Sequence, residues 1–277
     1  MMKDASFRYL SDFLKRHSGL IVDEGKRYLL ETRLTPLLKQ PGLHHLDELT
    51  DRLRRDERAG IAVDTLQAMT TNETLFFRDN YPFEVLRQLI LPQVVDALPT
   101  HEKIHIWSAA CSKGQEPYSI AMTAVKSVPN VNRRVRITAS DIDHKVLKAA
   151  ETGIYTQMEV QRGLPVQMLV RYFEQHHEHW RVRDELRSLV SFRHANLISD
   201  NLSFELKPEG AFHVVFCRNV LIYFSPEERA RVIDRIARVM APGGYLITGA
   251  AENISGASSQ WEAVSFNGRR LWKLKSA

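Results

Sequence analysis

The chain has 277 residues, 44% of them apolar and 26% charged, with a formal charge of +5. That length gives enough material for a large and a small domain with a buried core, and the composition excludes a disordered or low-complexity chain. The basic excess is mild and interspersed with acids, so it permits an acidic partner without indicating nucleic acid. The first segment, MMKDASFRYLSDFLKRHSG, carries charges throughout, and no later window is apolar over the length a membrane helix needs. Neither a signal peptide nor membrane insertion is therefore expected. Cys111 and Cys217 are far apart in sequence and read as reduced thiols of a cytoplasmic protein, too few to build a zinc site.

In chain order, residues 6–67 follow a helical pattern. Phe7, Leu10, Phe13 and Leu14 share one face, and Leu29, Leu30, Leu34, Leu37 and Leu38 another, with QPGLHH as a break. Three or four short helices in a small bundle are expected. The stretch TTNETLFFRDN at 70–80 has consecutive apolar residues and no helical period, so it reads as a gripping loop anchored by Phe76 and Phe77. A helix from Pro82 to Ala97 follows. From Lys103 onward short apolar runs (IHIWSA, VRITASDID, VSFRHANL, FHVVFCRNV, GYLITGA) alternate with helical segments at 117–126, 144–151 and 226–240. Strand and helix in alternation, with strands buried on both faces, predict a doubly wound α/β domain built on a mostly parallel sheet.

In such a sheet ligands sit beyond the carboxyl ends of the strands. Those ends are polar here in a coordinated way: Gly114 and Glu116 after the first strand, Asp141 and Asp143 after the second, Asn196 after another, and Arg218 with Asn219 after FHVVFC. A dinucleotide site would need a glycine-rich turn with room for a pyrophosphate. The turn SAACSKGQEP has one glycine and then Glu116, a carboxylate that repels phosphate and welcomes an ammonium. Asp141 is placed to accept the two hydroxyls of a ribose. S-adenosyl-L-methionine has the ribose and the ammonium and lacks the phosphate, and it is the expected cofactor.

TTNETLFFRD, WSAACSKGQEPYSIAM, ASDIDHKVLKAAETGIY, ANL and FCRNVLIYF occur in this order, and with them the chain resembles the CheR family of chemotaxis receptor methyltransferases. The likeness runs over nearly the whole chain and includes GAAENIS near the end. It implies a Rossmann-like methyltransferase domain preceded by a small all-helical domain, with a small antiparallel β subdomain inserted. The implied reaction is methyl transfer from S-adenosyl-L-methionine to receptor glutamate carboxylates, leaving S-adenosyl-L-homocysteine. Carried over by position, Asn72, Thr74 and Arg78 reach over the cofactor, Glu116 meets the ammonium and Asp141 the ribose. Asn196 and Leu197 meet the adenine, Arg218 and Asn219 form the floor, and Tyr223 lies near the acceptor. A glutamate acceptor is already ionised at neutral pH, so no general base is required. Arg78 is expected to hold the acceptor carboxylate and Tyr223 to set its angle of attack.

The implied domains are 1–70 for receptor recognition, 71–98 as linker loop and helix, and 99–277 for methyl transfer, with the β insertion at about 155–195. Within the first domain, Lys26, Arg27, Arg33 and Lys39 stand against a single Glu31 and are the expected contacts to the cytoplasmic signalling domain of methyl-accepting receptors. RYFEQHHEHWRVRDEL contains no glycine where relatives that bind a receptor's C-terminal peptide have a glycine-rich loop, so independence from such a tether is expected. His176, His177 and His179 in that segment read as solvated, Cys111 as a small apolar wall and Lys113 as solvated. A monomer is expected. The alternatives are a nucleic-acid methyltransferase, which would carry an Asn-Pro-Pro-aromatic turn where this chain has CRNVLIYF, and a non-catalytic adaptor on the same fold.

Overall fold

Phe7, Leu10, Phe13 and Leu14 recur at helical spacing, and the helix Asp4–Ser18 buries all four before Gly19, at φ 74°, ends it in a left-handed turn. The structure, a computed structural model, describes residues 2–40, 42–207 and 210–276. Helices Arg27–Leu34, Leu46–Arg55 and Gly60–Met69 add Leu30, Leu34, Leu49, Leu53 and Met69 to the same core. Of the expected break QPGLHH, Pro41 lies outside the described residues. The chain forms two compact units, Met1–Thr71 with Tyr223–Arg229 and Asn72–Ile222 with Ala230–Ala277.

The second unit is built on a seven-stranded sheet. Its strands are β1 (Ile104–Ala109), β2 (Val135–Asp141), β6 (Val190–His194), β7 (Phe212–Cys217), β8 (Met240–Thr248), β9 (Trp261–Phe266) and β10 (Arg269–Leu274), in the order β6-β2-β1-β7-β8-β10-β9. The pairs from β6 to β8 are parallel, and β10 runs antiparallel to both β8 and β9. Ile104, Ile106, Ile137, Val214, Phe216 and Ile247 lie in one buried cluster. The chain winds outward in one direction from β1 to β2 and β6, and in the other through β7 and β8. The strand order therefore reverses between β1 and β7, which sets the ligand crevice at their carboxyl ends.

A separate antiparallel sheet of β3 (Ile154–Thr156), β5 (His179–Val182) and β4 (Phe173–His176) forms the insertion. It ends earlier than the expected 195. Val190 pairs in parallel register with Ile137, which draws residues 190–194 into the main sheet. The expected helix 82–97 is divided into Tyr81–Val85, a wider π turn Leu86–Ile90, and Leu91–Ala97. Pro92 has no N–H for the carbonyl of Gln88, and the Leu91 N–H closes on the Leu86 carbonyl instead. The β9–β10 hairpin had no counterpart among the expected elements.

Candidate active site

The turn leaving β1 is unusual in its backbone. Ala110 and Ser112 have φ values of 55° and 50°, and Gly114 follows at 90°. Two non-glycine residues in the left-handed region cost roughly 1–2 kcal/mol each, and such strain concentrates at ligand sites. The turn is held from outside: the Cys111 N–H donates to the Ser140 carbonyl (2.9 Å) and Ser112 Oγ to the Asn72 carbonyl (2.8 Å). A Cβ at Gly114 would come within 2.9 Å of Ala150 Cβ, so only glycine lets this turn pass. Immediately beyond it, the helix Gln115–Ser127 opens with buried Glu116.

Glu116 takes a hydrogen bond from Ser108 Oγ (2.8 Å) and an ion pair from Arg218 Nη1 (2.8 Å). Arg218 follows β7 with its side chain 2% exposed, and its Nη2 donates to Asp79 Oδ2 (2.7 Å) and to the Arg78 carbonyl (2.9 Å). One buried guanidinium thus ties the first turn to the 72–80 loop. Removing one partner from a buried pair leaves an uncompensated charge, at a cost of about 3–5 kcal/mol.

Asp141 ends β2 and is 6% exposed. Its Oδ2 accepts the Ser112 N–H (2.8 Å) and its Oδ1 the Asp143 N–H (3.0 Å). Burial raises its pKa to about 6, opposed by hydrogen bonds from the backbone. Asp143 caps the next helix through the Lys145 N–H and takes Asn72 Nδ2 at 3.0 Å, which brings Asn72 to the end of β2.

The 72–80 loop is anchored as its two phenylalanines suggested. Phe76 is fully buried, edge-on to Tyr155 (5.0 Å) and Phe173 (5.6 Å), and Phe77 packs against Phe83 (5.1 Å). Thr74 is partly buried in the same loop. The Arg78 guanidinium turns back to the Glu73 carbonyl (3.3 Å) and, among the described residues, has no carboxylate partner. Asn219 adopts φ 60°, and its N–H donates to Glu252 Oε2 (2.7 Å), a buried carboxylate that also caps the N–H groups of Gly249 and Ile222. Asn196 Oδ1 accepts the Ile198 N–H (3.2 Å), a turn-forming role, and Leu197 is buried beside it. Tyr223 ends the turn Leu221–Tyr223 and falls in the helical unit, where its carbonyl accepts the Ile21 N–H (3.2 Å).

Two family models match this chain: the all-alpha domain of CheR methyltransferases over residues 5–70 and their SAM-binding domain over residues 72–269. The chain belongs to the CheR methyltransferase family. It is 39% identical to a chemotaxis protein methyltransferase of Vibrio parahaemolyticus, over 99% of this chain and 98% of that one. Chemotaxis protein methyltransferase 1 of Pseudomonas aeruginosa is 38% identical over 98% of each chain. The Escherichia coli chemotaxis protein methyltransferase is 33% identical over 92% of this chain and 86% of its own length. As a CheR methyltransferase the chain is an enzyme that takes its methyl group from S-adenosylmethionine.

The residues present fit that donor. Glu116, Asp141 and Arg218 are buried at the ends of three adjacent strands, an acid and base set matching an ammonium, a ribose and a carboxylate. Gln115 Oε1 and Arg218 Nε are buried polar atoms without a partner, which a polar ligand would satisfy. Asn72, Glu116, Asp141, Arg218 and Asn219 are brought together through the contacts above, with Arg78 on the same loop as Asn72. Cys111 is buried, and its thiol is pushed well above the usual range by burial and by Asp141 and Glu116, as a wall residue would be. Lys113, expected to be solvated, pairs with Glu159 at 3.4 Å.

The four cations expected to meet a receptor do not form one free face. Arg33 donates to the carbonyls of Met69 (2.7 Å) and Thr70 (3.3 Å) and to Thr71 Oγ1 (3.0 Å), fastening the end of the last helix. Arg27 pairs with Asp4 (2.7 Å) and lies over the Phe7 ring. Lys26 pairs with Asp23 (3.1 Å) and stays exposed, as does Lys39. Asp79 and Glu252, which hold Arg218 and Asn219, were not singled out from the sequence. Both lie inside stretches that carry the resemblance, and the signal was a carboxylate adjacent to an assigned residue and another in GAAENIS.

Proposed function

We propose that this methyltransferase esterifies glutamate side chains on the cytoplasmic signalling domain of methyl-accepting chemotaxis receptors. The observation that carries the acceptor half of this reading is Arg78, a partly buried cation on the cofactor-side loop with no carboxylate partner among the described residues. S-adenosylmethionine supplies a methyl group already activated on a sulfonium. Glu116 and Arg218 would hold its amino-acid end, Asp141 its ribose hydroxyls, Asn196 and Leu197 its adenine, and Asn72, Thr74 and Asn219 complete the enclosure. Arg78 holds the acceptor carboxylate by charge-assisted hydrogen bonds. The acceptor is ionised at neutral pH, so rate comes from alignment and preorganised charge, with no base needed.

The helical unit recognises the receptor through its exposed cations, Lys26 and Lys39, while Arg27 and Arg33 support the surface that bears them. No receptor peptide tether is needed: the β4–β5 connection is a two-residue turn with His177 at φ 53°, leaving no glycine-lined loop for an added strand. Tritiated S-adenosylmethionine, incubated with the enzyme and receptor-containing membranes and then treated with base, should release volatile methanol. Base-stable label would overturn the carboxylate acceptor. A receptor C-terminal pentapeptide should give no heat on titration; tight binding would refute the tether-free reading.

A further inference from the structure

We infer that the groove between the 79–82 segment and the β9–β10 hairpin is the channel along which an acidic segment of the protein acceptor docks, and that Arg269 and Arg270 hold its carboxylates. This rests on the acceptor being a protein carboxylate, as proposed above. The groove has a volume of about 780 Å³. Its inner wall includes Asp79 and Glu252, the two carboxylates that fix Arg218 and Asn219, so it begins at the candidate active site. Both acids are engaged there: Asp79 by Arg218, and Glu252 by three backbone N–H groups. The charge left open to a partner is that of the outer wall.

That wall is cationic and held in place. The Arg269 guanidinium lies 5.3 Å from the Tyr81 ring centroid, and the Tyr81 hydroxyl donates to the Arg269 carbonyl at 3.3 Å. Arg270 lies 5.6 Å from the Trp272 ring centroid and donates to Ser255 Oγ at 3.2 Å. Both arginines are exposed, and neither has a carboxylate partner among the described residues. Arginines seated on aromatic faces keep their outer N–H groups for a ligand while losing little freedom on binding. The hairpin that carries them is set by Asn267 and Gly268, both left-handed at φ 49° and 75°, which fixes the register of the two arginines against Ser265 and Phe266. An acidic segment meets this wall with complementary charge and can extend one side chain inward, past Asp79 and Glu252.

The test uses the full chain with the purified cytoplasmic domain of a methyl-accepting receptor. Arg269→Glu combined with Arg270→Glu should raise KM for the receptor domain by ~10-fold or more at low salt, with kcat and the dissociation constant for S-adenosylmethionine unchanged. Arg269→Gln with Arg270→Gln should give a smaller rise in the same direction. Lys126→Glu with Arg133→Glu makes the same net-charge change at the opposite, amino-terminal edge of the sheet and should leave KM within about twofold. A KM unaffected by the groove variants, or raised equally by the distant pair, overturns the channel. Fluorescence anisotropy of the labelled receptor domain reads docking without chemistry: the groove variants should weaken binding by the same factor, and equal binding overturns the proposal. Wild-type enzyme that binds the domain through the groove but transfers no methyl would refute the acceptor reading instead.

Discussion

Cofactor binding should be linked to the release of one proton from Asp141. Its carboxyl is buried, and its pKa stands at about 6 against an ordinary 3.8, a difference of two units or ~3 kcal/mol. The sign follows from which state holds the proton. The folded value lies above the unfolded one, so between about pH 4 and pH 6 the folded apoenzyme holds more protons than the unfolded chain. This group therefore lowers stability as pH rises through that window, an effect absent below it and complete above it. Ribose hydroxyls need the anion as acceptor, so binding below about pH 6 must first expel the proton. The affinity for S-adenosylmethionine should fall about 10-fold between about pH 8 and pH 5. Titration calorimetry in buffers of different ionisation enthalpy should show about half a proton released near pH 6. Asp141→Asn should abolish this dependence and weaken binding ~10–100-fold at about pH 8, the worth of a charged acceptor to two hydroxyls. A wild-type affinity flat across this range, or an Asp141→Asn variant that binds as wild type, would refute the assignment.

Arg78→Ala should lower turnover on receptor by ~100-fold or more while cofactor affinity stays within a few-fold, as measured by single-turnover kinetics and calorimetry; preserved turnover with a raised cofactor constant would reduce Arg78 to a packing residue. Gly163 sits at φ 85° with the Phe76 carbonyl 2.1 Å from where a Cβ would lie. Gly163→Ala should therefore cost at least about 1–2 kcal/mol from the backbone alone, read by urea denaturation. S-adenosylhomocysteine should bind at least as tightly as S-adenosylmethionine, because it keeps the adenosine and amino-acid contacts and loses a positive charge near Arg78. A clearly weaker product constant in competition binding would move Arg78 away from the sulfur.

The parallel half of the sheet was legible because its strands are short, mostly apolar segments followed by polar residues, as in IHIWSA before Glu116 and FHVVFC before Arg218. The antiparallel edge was not. Trp261–Phe266 and Arg269–Leu274 mix buried and exposed positions with neither a continuous apolar run nor a regular alternation, and their clearest signal was the Asn267–Gly268 turn between them. The π turn before Pro92 was missed because a proline near a helix end reads equally well as a new start. In the site, chemistry at strand ends marked Glu116, Asp141, Arg218 and Asn219. The residues that hold them, Asp79 and Glu252, depend on pairings 139 and 33 positions apart, which no local pattern carries. The basic bias at 26–39 had the opposite fault: composition counted Arg27 and Arg33 as free charge, whereas both are engaged within their own unit.

The most direct test of the central claim is peptide mass spectrometry of a receptor cytoplasmic domain after incubation with this enzyme and S-adenosylmethionine. The expected result is the mass of one methyl ester on particular glutamates, lost on mild base treatment and absent when those glutamates are replaced by aspartate or alanine. Methylation on lysine, arginine or a chain terminus, or an unmodified receptor in the presence of bound cofactor, would contradict it.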